Sequence, residues 1–267
     1  MKLVCNGTAL EVNVAGSGEP LLIIHGFTGS ALAMKPLSAH LPGRRILPDL
    51  IGHGRSESPV SRGAYHLDAV SQQISSMLEQ LDATPTAIVG YSMGGRVALN
   101  FAVNHPEKVR SLALIGASPG IENDSDRLNR KDADHKLAAS ISHLGVKRFV
   151  ESWVDKPMWE SLRNKLTAIQ WQESIAERRT NHPLGLANSL RASGTGSMNP
   201  LHASLHTLKV PTLLLVGEKD HKFLQIAYDM SLALPDASVQ VIADSGHATH
   251  LEQPEATANA IIEHLSC

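Results

Sequence analysis

The chain has 267 residues, 42% hydrophobic and 19% charged, with 24 Lys and Arg against 26 Asp and Glu. Its net charge of −2 argues against nucleic acid or an anionic membrane surface as a partner. The length suits one sizeable core carrying an insertion. Cys5 and Cys267 share no metal-ligand spacing, so neither a disulfide framework nor a bound metal is expected. The first residues lack the apolar segment of a signal peptide, and no apolar run is long enough to span a bilayer; a cytoplasmic location without membrane insertion is expected.

In chain order, residues 2–5 and 10–14 alternate around Asn6-Gly7-Thr8 and predict a hairpin. Leu21-Leu22-Ile23-Ile24-His25 is a short continuous apolar run, the pattern of a strand covered on both faces. A loop through His25-Gly26-Phe27-Thr28-Gly29-Ser30 leads to a short helix over about 31–41, then a strand at 45–47 and a polar loop over 49–56. Leu67, Val70, Ile74, Met77, Leu78 and Leu81 keep helical spacing. The apolar run Thr86-Ala87-Ile88-Val89 then enters Gly90-Tyr91-Ser92-Met93-Gly94, which a helical pattern follows at once. This is G-x-S-x-G between a strand and a helix, where a sharp turn leaves a serine oxygen exposed. A further strand covers 109–115.

From about 121 to 208 the strand–helix rhythm stops, and several short helices are expected. This segment holds Trp153, Trp159 and Trp171, and 12 Lys and Arg against 10 Asp and Glu. It is therefore near +2 and the remainder near −4, a direction that suits an anionic ligand. The rhythm returns with a strand at 212–216, a helix over 223–234, a strand at 238–243 and a final helix over 254–265. Alternating buried strands and helices predict an α/β fold, a mainly parallel central sheet flanked by helices. Residues 1–120 and 209–267 are read as its core, and 121–208 as a helical lid over the strand ends that bind ligands. The tryptophans face either lid core or pocket.

A serine is a poor nucleophile or base unless a histidine takes its proton, and that histidine needs a carboxylate to orient it. Asp220 and His247 follow the strands at 212–216 and 238–243, so both fall at the same sheet edge as Ser92. Ser92, Asp220 and His247 are the candidate triad; Glu218, Asp244, His221 and His250 are rivals by position. The backbone N–H groups of Met93 and Phe27 are the candidate oxyanion donors. His25 is expected to hold the Phe27 loop by hydrogen bonds.

His25-Gly26-Phe27, Asp49 to Ser56, the serine turn, Gly217-Glu218-Lys219-Asp220 and Gly246-His247 resemble the α/β-hydrolase superfamily along essentially the whole chain. A narrower set comprises Arg96 directly after the serine turn, Ser118-Pro119-Gly120 followed by Arg127 and Arg130, Trp153 before Lys156-Pro157, Arg178-Arg179 before Asn181-His182-Pro183, and Asp220 before Lys222-Phe223. It resembles the MenH family, the 2-succinyl-6-hydroxy-2,4-cyclohexadiene-1-carboxylate synthases of menaquinone biosynthesis. The resemblance implies a lyase that eliminates pyruvate without a cofactor, from a small substrate carrying three carboxylates. It implies Arg96, Arg130 and Arg179 as carboxylate clamps, with Tyr91, Trp153, Lys222 and Phe223 around the substrate. Arg178 is an alternative to Arg179, and Arg127 to Arg130. The same triad would also serve an ordinary serine hydrolase, and the scaffold a non-catalytic small-ligand receptor.

Overall fold

The computed structural model describes residues 1–266; Cys267 lies outside them. β1 (Lys2–Cys5) and β2 (Thr8–Ala15) form the N-terminal hairpin. Its turn residues Asn6 and Gly7 both have positive φ, 45° and 77°, as a tight hairpin turn requires. Six further strands complete one sheet: β3 (Pro20–Ile24), β4 (Arg44–Pro48), β5 (Thr86–Tyr91), β6 (Val109–Ile115), β7 (Thr212–Gly217) and β8 (Ala237–Ile242). The spatial order is β1-β2-β4-β3-β5-β6-β7-β8. β1–β2 and β2–β4 pair antiparallel and every other pair is parallel.

The helices are α1 (Lys35–Ser38), α2 (Leu67–Gln80), α3 (Met93–Asn104), α4 (Asp124–Val154), α5 (Glu160–Lys165), α6 (Ala168–Arg178), α7 (Pro183–Ser193), α8 (His202–Leu205), α9 (His221–Ala233), α10 (Thr249–Glu252) and α11 (Pro254–Leu265). They cover both faces of the sheet. Leu22, Ile88, Leu112 and Leu214 pack with Ile74, Phe101 and Met230 of α2, α3 and α9 on one side. Their strand neighbours Ile23, Ala87, Ala113 and Leu213 pack with Leu37 and Ile261 of α1 and α11 on the other. β5 and β7 are therefore buried at every position, whereas the edge strand β8 alternates. Each fully buried Leu, Ile or Phe contributes about 1.5–3 kcal/mol.

Two elements differ from their sequence expectation. The helix expected over 31–41 is a 3-10 turn, Ala31–Met34, followed by only one turn of α1. Pro36 has no N–H to donate and is tolerated only in a first helical turn, so the α-helix begins at Lys35 rather than at Ala31. In the 121–208 segment α4 is 31 residues long rather than short. It is broken once at Gly145 (φ 78°, ψ 166°), where the backbone leaves helical geometry and resumes at Val146. Helices α4 to α8 all lie between β6 and β7. They hold their own apolar cluster, with Ile141, Phe149, Val150, Leu186 and Leu190 at its centre.

Candidate active site

Ser92 stands at the junction of β5 and α3 with φ 52° and ψ −106°, a conformation that costs a non-glycine residue about 1–3 kcal/mol. Its N–H donates to the carbonyl of Ile115 at 2.8 Å, which ties the turn to the end of β6. A Cβ at position 94 would come within 2.5 Å of the His25 carbonyl oxygen and 2.4 Å of that of Ile24. Only glycine lets α3 pass this close to β3, and that approach sets the serine turn beside the loop after β3.

Two more strand ends supply the serine's partners. Asp220 caps the start of α9 after β7, and His247 lies in the loop after β8. The Nδ1–H of His247 donates to Asp220 Oδ2 at 2.6 Å, which fixes the tautomer because an ionised carboxylate only accepts. Nε2 is then free to accept from Ser92 Oγ, 3.0 Å away. The imidazole is buried, with its centroid 4.6 Å from that of Phe223 and 5.4 Å from that of Tyr91. This chain can move a proton from the serine to the histidine.

Three of the positional rivals, Glu218, Asp244 and His250, are engaged elsewhere. Glu218 accepts from the Asp244 N–H at 2.9 Å. Asp244 pairs with Lys165 and Lys219, which pull its carboxyl down to about 2. His250 is buried with its ring 4.0 Å from that of Tyr91, and burial, reinforced by the charges of Arg178 and His247, pushes its imidazole down to about 3. His25 accepts from the Leu50 N–H at 3.0 Å and donates from Nδ1 to the Gly26 carbonyl at 2.8 Å, holding the loop that carries Phe27.

Above Ser92 opens a cavity of about 450 Å³. Its wall includes Phe27, Met93 and His247, and of the expected substrate-binding residues Arg96, Arg130, Trp153, Lys222 and Phe223. Met93 is the first residue of α3, so its N–H has no acceptor within the helix. Trp159 and Trp171 pack into apolar clusters instead. Arg96 reaches the wall from the first turn of α3, where it donates to the Ser193 carbonyl of α7 at 2.6 Å. Burial, helped by the nearby charge of Arg130, pushes its guanidinium down to about 10, still well above neutral pH. Arg130 donates from Nε to Asp134 at 2.8 Å.

Two expected residues lie elsewhere. Arg179 is not on the wall; it is half-buried and donates to Glu151 Oε1 at 3.0 Å on the flank of the inserted helices. Successive residues at a helix end point about 100° apart, so only one of Arg178 and Arg179 can turn inward. Arg178 does: it is buried, donates to Thr28 Oγ1 at 2.6 Å and lies 4.3 Å over the Trp159 ring, behind the wall rather than on it. Tyr91 is also behind the wall, packed between His247 and His250. Arg127 pairs with Asp124 and donates to the carbonyls of Ile121 and Glu122.

Two charged wall residues were not among the expected site residues, although Lys156 was noted beside Trp153. Lys156 lies with its ammonium 5.7 Å from the centre of the Trp153 ring. Asp134 is the acidic side chain of the wall, and its i,i+4 spacing from Arg130 was the available signal.

Residues 19–254 match the model of the α/β-hydrolase fold family. A protein of Bacillus subtilis (strain 168), provisionally named 2-succinyl-6-hydroxy-2,4-cyclohexadiene-1-carboxylate synthase, is 33% identical over 94% of this chain and 91% of its own length. A synthase of that name from Yersinia enterocolitica is 31% identical over 94% of this chain and 88% of its own. The solved structure of MenH from S. aureus superimposes with a TM-score of 0.90 at 29% identity, covering 96% of this chain and 97% of that one.

The chain belongs to the MenH family of α/β hydrolases.

As in any α/β hydrolase, the fold alone leaves the reaction open. An esterase from Exiguobacterium antarcticum superimposes on this MenH-family chain with a TM-score of 0.86 at 22% identity, a likeness of fold. No helix among the described residues is long and apolar enough to cross a membrane.

Proposed function

We propose that this protein is a 2-succinyl-6-hydroxy-2,4-cyclohexadiene-1-carboxylate synthase. It eliminates pyruvate from 2-succinyl-5-enolpyruvyl-6-hydroxy-3-cyclohexene-1-carboxylate, a step of menaquinone biosynthesis, as a cofactor-independent lyase. The observation that carries this reading is the charge of the cavity. Arg96, Arg130, Lys156 and Lys222 line it, against one carboxylate, Asp134, which Arg130 already pairs. Such a wall suits a substrate with three carboxylates and repays none of the desolvation of its cations for a neutral ester. The relatives that bear the synthase name span nearly the full chain, which supports the same conclusion.

In this mechanism His247 takes the Ser92 hydroxyl proton on Nε2, and Asp220 stabilises the imidazolium. The Ser92 alkoxide removes the ring proton at C2, α to the succinyl ketone. The N–H groups of Phe27 and Met93 hold the enolate oxygen that forms. As the ketone re-forms, the electron pair makes the C2–C3 double bond, the C3–C4 double bond shifts to C4–C5, and the C5–O bond breaks. The enolpyruvyl group leaves as an enolate and takes up a proton to become pyruvate. No acyl-enzyme is formed, and Arg96 and Arg130 orient the substrate through its carboxylates.

The test is incubation with the enolpyruvyl cyclohexene substrate, following pyruvate release together with diene absorbance. Coupled appearance of both, lost in Ser92→Ala, is expected. Esterase turnover with neither signal would overturn the synthase assignment in favour of a serine hydrolase.

A further inference from the structure

The loop after β3 contains a conformation its sequence does not favour. The Gly29 N–H donates to the Gly26 carbonyl at 3.1 Å, closing a turn over Phe27 and Thr28. Thr28 has φ 67° while Phe27 does not, the pattern of a type II turn. Its second central position favours glycine, and a β-branched residue there is an outlier that persists only when its surroundings hold it.

What holds Thr28 comes from about 150 residues away. The guanidinium of Arg178, in the last turn of α6, donates to Thr28 Oγ1 at 2.6 Å. The Asn181 amide, between α6 and α7, donates to the Thr28 carbonyl at 2.7 Å. The second hydrogen of that amide goes to the Arg178 carbonyl at 3.0 Å, and its oxygen accepts from the Gly54 N–H at 2.8 Å. Thr28, Arg178 and Asn181 are all buried. One side chain thus joins three pieces: the inserted helices, the Phe27–Thr28 turn, and the loop over 49–56 that follows β4.

We propose that Asn181, assisted by Arg178, is a positioning residue that holds Thr28 in its left-handed conformation and thereby aims the Phe27 N–H at the reacting oxygen. The inserted helices then do more than cover the cavity, because the oxyanion donor is in place only while they are docked on the turn. This rests on the oxyanion role assigned above to Phe27. It gives a threonine a role where glycine would be easier: the hydroxyl gives Arg178 a handle, and the strain makes the turn depend on its clamp.

The test compares the parent with Asn181→Ala and with Asn181→Asp, which keeps the size and the acceptor for Gly54 but sets an oxygen against the Thr28 carbonyl. Both should lower kcat for pyruvate release by about tenfold to hundredfold, less than the ~10²–10³ caused by deleting an oxyanion donor. KM should change by less than about threefold, since no cavity contact is lost. Adding Thr28→Gly to Asn181→Ala should recover most of kcat, because glycine adopts the turn without a clamp. A purely structural role for Asn181 would not be rescued in this way. Amide hydrogen exchange across residues 22–34 provides a readout without substrate, and it should accelerate in both Asn181 variants while β5 stays protected. Unchanged exchange, a kcat within twofold of the parent, or a loss that Thr28→Gly leaves untouched overturns the proposal. A parent that releases no pyruvate but shows faster exchange in the variants overturns the assigned reaction and leaves the clamp standing.

Discussion

A Cβ built on Gly116 would lie 2.9 Å from Cε1 of His247 and 3.0 Å from Nδ1. The glycine at the end of β6 is therefore the floor on which the imidazole rests, and its φ of 55° adds a second reason for the absence of a side chain. Gly116→Ala should push the ring away from Ser92 and Asp220. A displacement near 1 Å at a proton-transfer pair costs on the order of 10²-fold in rate. The expected outcome is a kcat about 10²-fold lower with KM little changed, and a stability loss of about 1 kcal/mol by denaturant titration.

Asp220 is an acceptor for His247 Nδ1–H, 2.6 Å away. Asp220→Asn keeps the size but presents an amide that can hold the ring in the other tautomer, with Nε2 protonated and unable to accept from Ser92. Turnover should fall by about 10³–10⁴-fold while the fold and the substrate KM persist. Stopped-flow detection of the diene measures this, and a loss smaller than tenfold would remove Asp220 from its assigned role.

Arg130 and Asp134 form one unit on the cavity wall. In the proposed role Arg130→Ala removes a carboxylate clamp, and it leaves a buried carboxylate, whose other partner is the Gly196 N–H at 3.2 Å, facing the proposed anionic substrate. A charged hydrogen bond contributes about 1.5–3 kcal/mol, so kcat/KM should fall by at least about 10–150-fold. Adding Asp134→Asn should recover part of that loss, because the repelling charge is gone. A double-mutant cycle on kcat/KM measures the coupling.

Lys156 lies at the cavity wall without an ion pair among the described residues, over the Trp153 ring. Lys156→Gln should raise KM by about twofold to tenfold at low ionic strength with kcat unchanged. The difference should shrink as salt screens the cation. KM measured across a series of salt concentrations checks both parts.

Two buried imidazoles predict acid sensitivity. Burial, with the neighbouring His25, pushes His53 down to about 3, and burial with the charges of Arg178 and His247 does the same to His250. Both titrate near 6.5 in the unfolded chain, so between about 6.5 and 3 the unfolded state binds the extra protons. Stability is therefore full above pH 6.5 and declines as pH falls through that window, by up to about 1.4 kcal/mol per pH unit for each histidine. Urea titrations at pH 7 and pH 5 should show the loss, and His250→Gln should reduce it by up to about 2 kcal/mol.

The central strands, the serine turn and the partners at the strand ends were legible in the chain because each is a local signal. A continuous apolar run such as Leu21 to Ile24 admits few readings. Gly90 and Gly94 announce a turn too tight for side chains, and Asp220 and His247 directly follow strand patterns, so a parallel sheet brings them to one edge. Arg96 was equally accessible, since it lies within the first turn of the helix that the serine opens.

The inserted helices were read poorly, because their rotation about their own axes is set by packing that no short window contains. Arg178 and Arg179 are adjacent and chemically identical, yet one is buried against Thr28 and the other pairs with Glu151 on the flank. Tyr91 precedes the serine but alternates to the opposite side of β5, beneath His247 rather than beside the cavity. The chain by itself determined the sheet, its serine turn and the sheet edge where chemistry can occur, since backbone sterics and hydrophobic patterning act within a few residues. The tertiary structure alone decided which of Arg178 and Arg179 turns inward and which side chains hold the Phe27 turn, because Thr28 meets Arg178 and Asn181 across about 150 positions.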